Sequence, residues 1–426
     1  MSNTQSTNSG VAGIKKSNNY IGNNAPVPNS ASESMLRIAA VGNSDVGLTV
    51  SWGDDSSSDY HFIWLRHNCF CQECGNSIDG IRSITILDVA ADIKPSEIQL
   101  HNNKTIQLTW EDGHQSRYDA SWLRAHCYSD KSRAGRLRFQ PITWRSDMAK
   151  SFPTVDYSSV LNDETVRLDM FEKLRDYGIV KVDDVGQSAQ ETEKLANLLG
   201  PIHETTVYGY IYDVQVEAVS KLGAKTAIHQ DPHHDDAFYY NQPGIDVFHC
   251  LINDSGEGGE STYCDGFAIA ESIRAEAPDA FELLTTVPIQ HNRRHPGEID
   301  LRINAPLIRL DWNGKLSGIR YFDRATAPLD LPANLVPPMF EAIRHYHKRM
   351  VSSEFKITIK IPPGTGMLID NQRVMHGRTA FKTNSGRHIR LCHVPRDEFH
   401  GRLRDLGARL GRDDYDIVLP QGACPS

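Results

Sequence analysis

Apolar and polar positions change rhythm several times along this chain, and each change predicts a different element. From about residue 36, short apolar stretches alternate with turn residues. Ile63-Trp64-Leu65 runs apolar and Thr105-Ile106-Gln107-Leu108-Thr109-Trp110 alternates, as half-buried strands do. That block closes at Ser121-Trp122-Leu123-Arg124, and a charged, Pro-marked stretch from Lys131 to Pro153 reads as a linker. Between Glu164 and Leu199 apolar residues recur at helical spacing: Val166, Leu168, Phe171 and Leu174, then Leu195, Leu198 and Leu199. Between the two groups, Tyr177-Gly178-Ile179-Val180-Lys181-Val182 predicts a strand entered through a glycine turn. Residues 205–252 and 354–395 are strand-rich, with Tyr208, Tyr210 and Tyr212 alternating as along one strand face. No internal repeat is visible.

These patterns predict a mainly β chain with flanking helices (α+β). A small N-terminal β domain is expected over 36–135 and a double-stranded β-helix, or jelly roll, over 150–410. Residues 1–35, rich in Ser, Asn and Gly, bury too little apolar surface to offset their ordering entropy and read as a disordered tail. Residues 411–426 read as a second tail.

Composition narrows the classes. A chain of 426 residues buries a sizeable core, consistent with two domains. A net charge of −9 without a long Lys/Arg run argues against a nucleic-acid partner. No apolar run approaches the roughly 20 residues that span a bilayer, and no charged segment leads into an apolar signal core. Lys15 and Lys16 in an acid-poor start faintly suggest a mitochondrial transit segment. The absence of Arg before Arg37 and of a helical apolar stripe favours the cytoplasm.

Two sets of residues carry chemistry. His233-His234-Asp235 is an HxD triplet, and His376 lies far downstream in Asn371-Gln372-Arg373-Val374-Met375-His376-Gly377-Arg378. Two histidines and one carboxylate make the facial triad of a non-haem Fe(II) centre, which keeps open positions for a co-substrate and O₂. His229-Gln230-Asp231 is a second HxD, and spacing alone does not choose between them. Arg387 follows His376 by 11 positions, where a strand would aim its forked cation at a dicarboxylate; Arg390 is its neighbouring rival. Cys69, Cys71 and Cys74 place three thiols within six residues, which with a histidine suits a closed Cys₃His zinc site. His114 and His126 are the candidates for fourth ligand. The remaining cysteines, Cys127, Cys250, Cys264, Cys392 and Cys424, are scattered without a disulfide pattern.

The surroundings of these motifs resemble the γ-butyrobetaine hydroxylase and trimethyllysine dioxygenase family. The resemblance runs through His233–Ala237 to Pro243-Gly244-Ile245-Asp246-Val247-Phe248-His249-Cys250-Leu251, and the distance to Gly244 selects His233 over His229. It continues in Tyr208-Gly209, Gly258-Gly259-Glu260-Ser261, Asp265-Gly266-Phe267, the Asn371–Arg378 box, Arg387-His388, Arg396-Asp397-Glu398-Phe399 and Arg402-Leu403-Arg404. It covers roughly residues 36 to 410.

The resemblance implies Fe(II) on His233, Asp235 and His376, with 2-oxoglutarate held by Arg387 and by Ser261 and consumed with O₂ to succinate and CO₂. Retention of Asp235 points away from halogenation. It also implies Zn(II) on Cys69, Cys71, Cys74 and His114, because the family carries a His in a turn matching Trp110-Glu111-Asp112-Gly113-His114. Relatives form homodimers.

The substrate positions diverge. Of the family's aromatic cage for a trimethylammonium group, Tyr208 is kept and a Trp becomes Tyr212. The next two positions fall on Lys225 and His393, and the family's Asn near Phe322-Asp323-Arg324 is missing. The expectation is a dioxygenase oxidising an unactivated C–H of a small amino acid or related zwitterion, by hydroxylation, desaturation or cyclisation. Lys225 would meet its carboxylate and Asp323 its amine. The alternatives are a trimethylammonium hydroxylase and, in another class, a non-enzymatic jelly-roll binder.

Overall fold

The computed structural model describes residues 36–75, 81–136, 139–215, 225–254, 256–382 and 386–412; the expected tails fall almost wholly outside these. The chain divides into two compact units, the first ending at Arg136.

The first unit holds two antiparallel three-stranded sheets. β1 (Ile38–Asn43), β2 (Gly47–Trp52) and β3 (Ser57–His61) form one; β4 (Pro95–His101), β5 (Thr105–Trp110) and β6 (Gln115–Asp119) form the other. Alternation does the work that it predicts: Leu48, Val50 and Trp52, and Ile106, Leu108 and Trp110, are buried in one core. The ring N–H groups of Trp52 and Trp110 donate to the hydroxyls of Ser58 and Ser116, at 2.9 and 2.8 Å, so neither indole is buried unsatisfied. Ile63-Trp64-Leu65 is not a strand but lies in the helix Phe62–His67. Three apolar residues carry no period, and here β3 ends at His61 before them.

In the second unit, β7 (Thr154–Asp156), β8 (Ile179–Asp183), β9 (Tyr212–Gln215), β10 (Gln230–His233), β11 (Ile245–Asp254) and β12 (Ser261–Asp265) lead to the hairpin β13 (Ile289–His295) and β14 (Ile299–Ala305). β15 (Ile308–Leu310), β16 (Leu316–Ile319), β17 (Ile357–Ile359), β18 (Thr365–Asp370), β19 (Val374–Arg378) and β20 (Gly386–Val394) follow. They build a six-stranded sheet, β7-β8-β18-β11-β20-β9, and a four-stranded sheet, β10-β19-β12-β17. Strands distant in sequence are neighbours, as a jelly roll requires.

Helices Glu164–Tyr177, Ala189–Leu199 and Arg396–Arg409 cover the outer face of the large sheet, packing Phe171, Leu174, Leu195, Leu199, Phe399 and Leu403 on Val180, Val247 and Leu368. The first of these ends where Gly178 takes φ +72, a left-handed turn that delivers the chain into β8. The inner faces supply Tyr263, Met367, Ile389 and Leu391.

Of the expected linker, residues 131–136 lie in the last helix of the first unit and residues 139–153 belong to the second, which begins after Arg136 rather than near 150. The Trp144 backbone N–H donates to the Asp265 carboxylate at 3.1 Å and its ring N–H to Tyr177 O at 2.7 Å. No helix among the described residues is long and apolar enough to cross a membrane.

Candidate active site

β10 and β19 are adjacent and antiparallel, with His233 opposite His376; β12 continues the row with Tyr263 opposite His376. Asp235 follows β10 directly. Its carboxylate Oδ1 lies 3.6 Å from His233 Nε2 and 3.8 Å from His376 Nε2. The three donors point at one spot. His233 Nδ1 lies 2.9 Å from Asp231 O, so as an N–H donor to that carbonyl it leaves Nε2 as the free lone pair. Burial pushes His376 down to about 4, which keeps its imidazole neutral at pH 7 and able to ligate. Burial alone would raise Asp235, but His376 and His233 outweigh it and hold the carboxyl well below its usual range. Asp235 Oδ2 is buried without a hydrogen-bond partner. A buried carboxylate facing two imidazoles, with no Lys or Arg within ion-pair distance among the described residues, fits a divalent cation.

The Asn371–Arg378 box holds that carboxylate in place. Asn371 Oδ1 accepts the Asp235 N–H at 2.8 Å, and its Nδ2 donates to Asp235 O at 3.0 Å and Pro243 O at 3.3 Å. Arg373 forms a fully buried two-point ion pair with Asp265 at 3.0 and 2.9 Å, tying the start of β19 to the end of β12.

A cavity of about 230 Å³ opens beside the triad between the two sheets. Strand alternation selects its walls: Ser261 and Tyr263 on β12, His376 and Arg378 on β19, Arg387, Ile389 and Leu391 on β20. Phe322 stacks on His233 at 4.4 Å between ring centroids, and Phe248 meets His376 edge-on at 4.7 Å. The guanidiniums of Arg378 and Arg387 lie 5.4 and 5.5 Å from the Phe381 ring centroid. Burial lowers both, Arg378 to about 10 with a further push from Arg387. Asp235 is the one acid among the described lining residues, so two guanidiniums on one wall suit the binding of an anion there. Arg390, the sequence rival, instead donates to Ala189 O at 2.6 Å and pairs with Asp213 at 3.1 Å.

Other expected residues fall elsewhere. His229 and Asp231 bond to each other at 2.8 Å on the exposed side. Tyr208 lines the cavity, but Tyr212, Lys225, Asp323 and His393 do not. Lys225 Nζ sits 5.0 Å from the centre of the Tyr212 ring, a cation resting on an aromatic face. Asp323 is exposed and accepts from the Tyr321 hydroxyl at 3.3 Å. His393 is fully buried against Asp246, 2.8 Å from its carboxylate. The tyrosines do not share a strand face: Gly209 is left-handed (φ +70) and breaks the alternation, leaving Tyr210 outside on Glu193 at 2.9 Å.

Tyr263, Phe248, Arg378, Arg293 and Arg324 line the cavity and were not expected. For Arg378 a signal existed, because two residues beyond His376 on one strand is the same face.

In the first unit, His114 Nε2 lies 3.4, 3.5 and 3.4 Å from the sulfurs of Cys69, Cys71 and Cys74. Tetrahedral zinc with ordinary bond lengths gives an N···S edge of about 3.5 Å. Glu73 lies 3.3 Å from His114 Nδ1 and steadies the ring, while His126 stacks on Trp122 at 4.3 Å and is no part of the cluster.

A jelly roll with two histidines, one carboxylate and an arginine-lined cavity defines the class of non-haem iron oxygenases that use a keto-acid co-substrate. The comparisons make the assignment specific. Residues 138–393 match the taurine catabolism dioxygenase TauD, TfdA family, and residues 40–124 match the γ-butyrobetaine hydroxylase-like N-terminal family. The γ-butyrobetaine dioxygenase of Pseudomonas sp. (strain AK-1) is 34% identical over 358 residues, 84% of this chain and 93% of the relative. A trimethyllysine dioxygenase, mitochondrial, of Gallus gallus is 31% identical over 361 residues, 83% of this chain and 84% of its own. The human γ-butyrobetaine dioxygenase is 29% identical over 375 residues, 85% and 95%. Among solved structures, an asparagine oxygenase superposes with a TM-score of 0.43 at 14% identity, covering 57% of this chain and 93% of that one.

The chain belongs to the TauD, TfdA family of dioxygenases. It is an enzyme of the Fe(II)- and 2-oxoglutarate-dependent type, which displaces the reading as a non-enzymatic binder.

Proposed function

We propose that this enzyme oxidises an unactivated C–H bond of a small amino acid or related zwitterion. His233, Asp235 and His376 hold Fe(II), and Arg387 with Arg378 receives the far carboxylate of 2-oxoglutarate. Ser261, opposite Arg378 in the strand register, adds a hydroxyl on the same wall. Bound iron and 2-oxoglutarate supply the oxidising chemistry, O₂ being reduced as succinate and CO₂ form. The protein's part is orientation and exclusion of water by Phe248, Phe322, Ile389 and Leu391. Cys69, Cys71, Cys74 and His114 hold a structural zinc.

The observation that carries the substrate class is the missing cage. Of the four positions read as cage, Tyr208 alone is on the cavity wall; Tyr212 and His393 pack against its ring at 4.8 and 5.6 Å between centroids, and Lys225 lies over the Tyr212 face. A trimethylammonium group needs several π faces at once, because it cannot hydrogen-bond. The second reading, a trimethylammonium hydroxylase, is favoured by the names of the relatives. Succinate formation by the Fe(II)-reconstituted enzyme separates the two. Stimulation by primary amino acids and not by γ-butyrobetaine or trimethyllysine is expected, with product mass giving the outcome. Stimulation by the trimethylated compounds alone would establish the second reading.

A further inference from the structure

The hairpin β13–β14 belongs to neither main sheet, yet Arg293 on β13 reaches the cavity, and so does Arg324, in the turn after β16. An antiparallel bridge joins His291 to Thr326, and the Ala327 N–H donates to Gln290 O at 2.8 Å. That pairing sets Arg293 beside the turn carrying Arg324.

Neither arginine forms an ion pair among the described residues. Arg324 donates to the His229 carbonyl at 3.2 Å, which satisfies an N–H but supplies no charge. Arg293 Nε is buried without a hydrogen-bond partner, and its guanidinium stands 5.8 Å from the Phe238 ring centroid. Asp236 feels Arg293 electrostatically but forms no ion pair with it. Four guanidiniums thus line one cavity whose described acid is Asp235 alone. A single 2-oxoglutarate, with one carboxylate on the iron and one on Arg378 and Arg387, leaves the second pair unmatched.

We propose that Arg293 and Arg324 are the anchor for the carboxylate of the primary substrate, with Arg293 the specificity-determining residue. This rests on the oxygenase reading above and deepens it: recognition is by a forked, charge-assisted bond to a carboxylate, not by the amine end of the molecule. Neutral amides of the same shape are rejected, because they leave the partly buried Arg293 without a counter-charge, whereas the exposed Arg324 contributes its charge from the cavity rim.

The test uses full-length protein, loaded anaerobically with Fe(II) and saturating 2-oxoglutarate so that the first arginine pair is occupied. Binding of 4-aminobutyrate, valine and γ-butyrobetaine, each against its own amide, is measured by calorimetry. At least one acid binds at least about tenfold tighter than its amide. Arg293→Gln abolishes that preference and Arg293→Lys restores part of it. Arg294→Gln, next along the hairpin and ion-paired with Asp300, keeps it. Acid and amide binding alike, no acid binding, or an intact preference in Arg293→Gln would each overturn the anchor. Failure of the wild type to convert 2-oxoglutarate to succinate with O₂ is a different result, and would count against the oxygenase reading itself.

Discussion

Replacing Asn371 by Ala removes a side chain that does not itself line the cavity yet holds the metal-ligand Asp235 in place. Asn371 is fully buried, and it bonds both the N–H and the C=O of Asp235, plus Pro243 O. Alanine leaves those backbone groups unsatisfied in a site that water cannot easily enter. At about 1–3 kcal/mol for each buried group left without a partner, the two bonds to Asp235 alone set a cost of about 2–6 kcal/mol. Part of it appears as lost stability of the second unit. The rest appears as freedom of Asp235, and groups that orient metal ligands are worth about 10–100-fold in metal affinity. Thermal unfolding and anaerobic Fe(II) titration on the same preparation read both. Asn371→Ala is expected to unfold several degrees lower and bind iron at least about tenfold more weakly. A variant with wild-type iron affinity would refute the reasoning, because the carboxylate would then be held by something else.

Arg387→Gln is expected to raise the 2-oxoglutarate concentration for half-maximal turnover by about a hundredfold, from loss of a charge-assisted bond, and steady-state succinate assays check this. Cys74→Ser, or a strong chelator, is expected to release one zinc per chain by metal analysis and to lose the folded signal of the first unit. Lys225→Ala is expected to leave substrate affinity unchanged, since Lys225 rests on Tyr212 outside the cavity lining, and a large change would return it to the substrate. His291 is buried with both ring nitrogens unpartnered, and burial, then Arg320, pushes it down to about 4 from 6.5. Folding therefore favours its neutral form, a contribution complete above pH 6.5 and lost as pH falls toward 4. His291→Phe is expected to flatten that part of the stability profile, measured by denaturant unfolding at each pH.

Much of the site was legible because strand geometry is periodic. The HxD spacing and the eleven-residue step to Arg387 translate directly into side chains on facing strands, and three thiols within six residues have few other uses. Cage positions were harder, because they come from separate elements, a turn at Tyr208 and strands at Tyr212 and His393, whose mutual placement is tertiary. Left-handed Gly209 turns Tyr210 outward, and the glycine between the two tyrosines was the local cue for that break. The Phe322-Asp323-Arg324 segment was flagged as a substrate position, but Arg293 was invisible for a tertiary reason: a hairpin outside both sheets folds back onto that distant turn through one bridge. The stretch from Lys131 to Pro153 looked like a linker by composition, and it is Asp265, over a hundred residues on, that fastens Trp144 to the domain.

The most direct test of the central claim is the visible charge-transfer band that Fe(II) and a chelated 2-oxo acid produce together without O₂. The account predicts the band in wild-type protein given both Fe(II) and 2-oxoglutarate, its loss in Asp235→Ala and His376→Ala, and its bleaching on admission of O₂ with succinate appearing in step. A band that survives in those two variants, or never forms in the wild type, would contradict it.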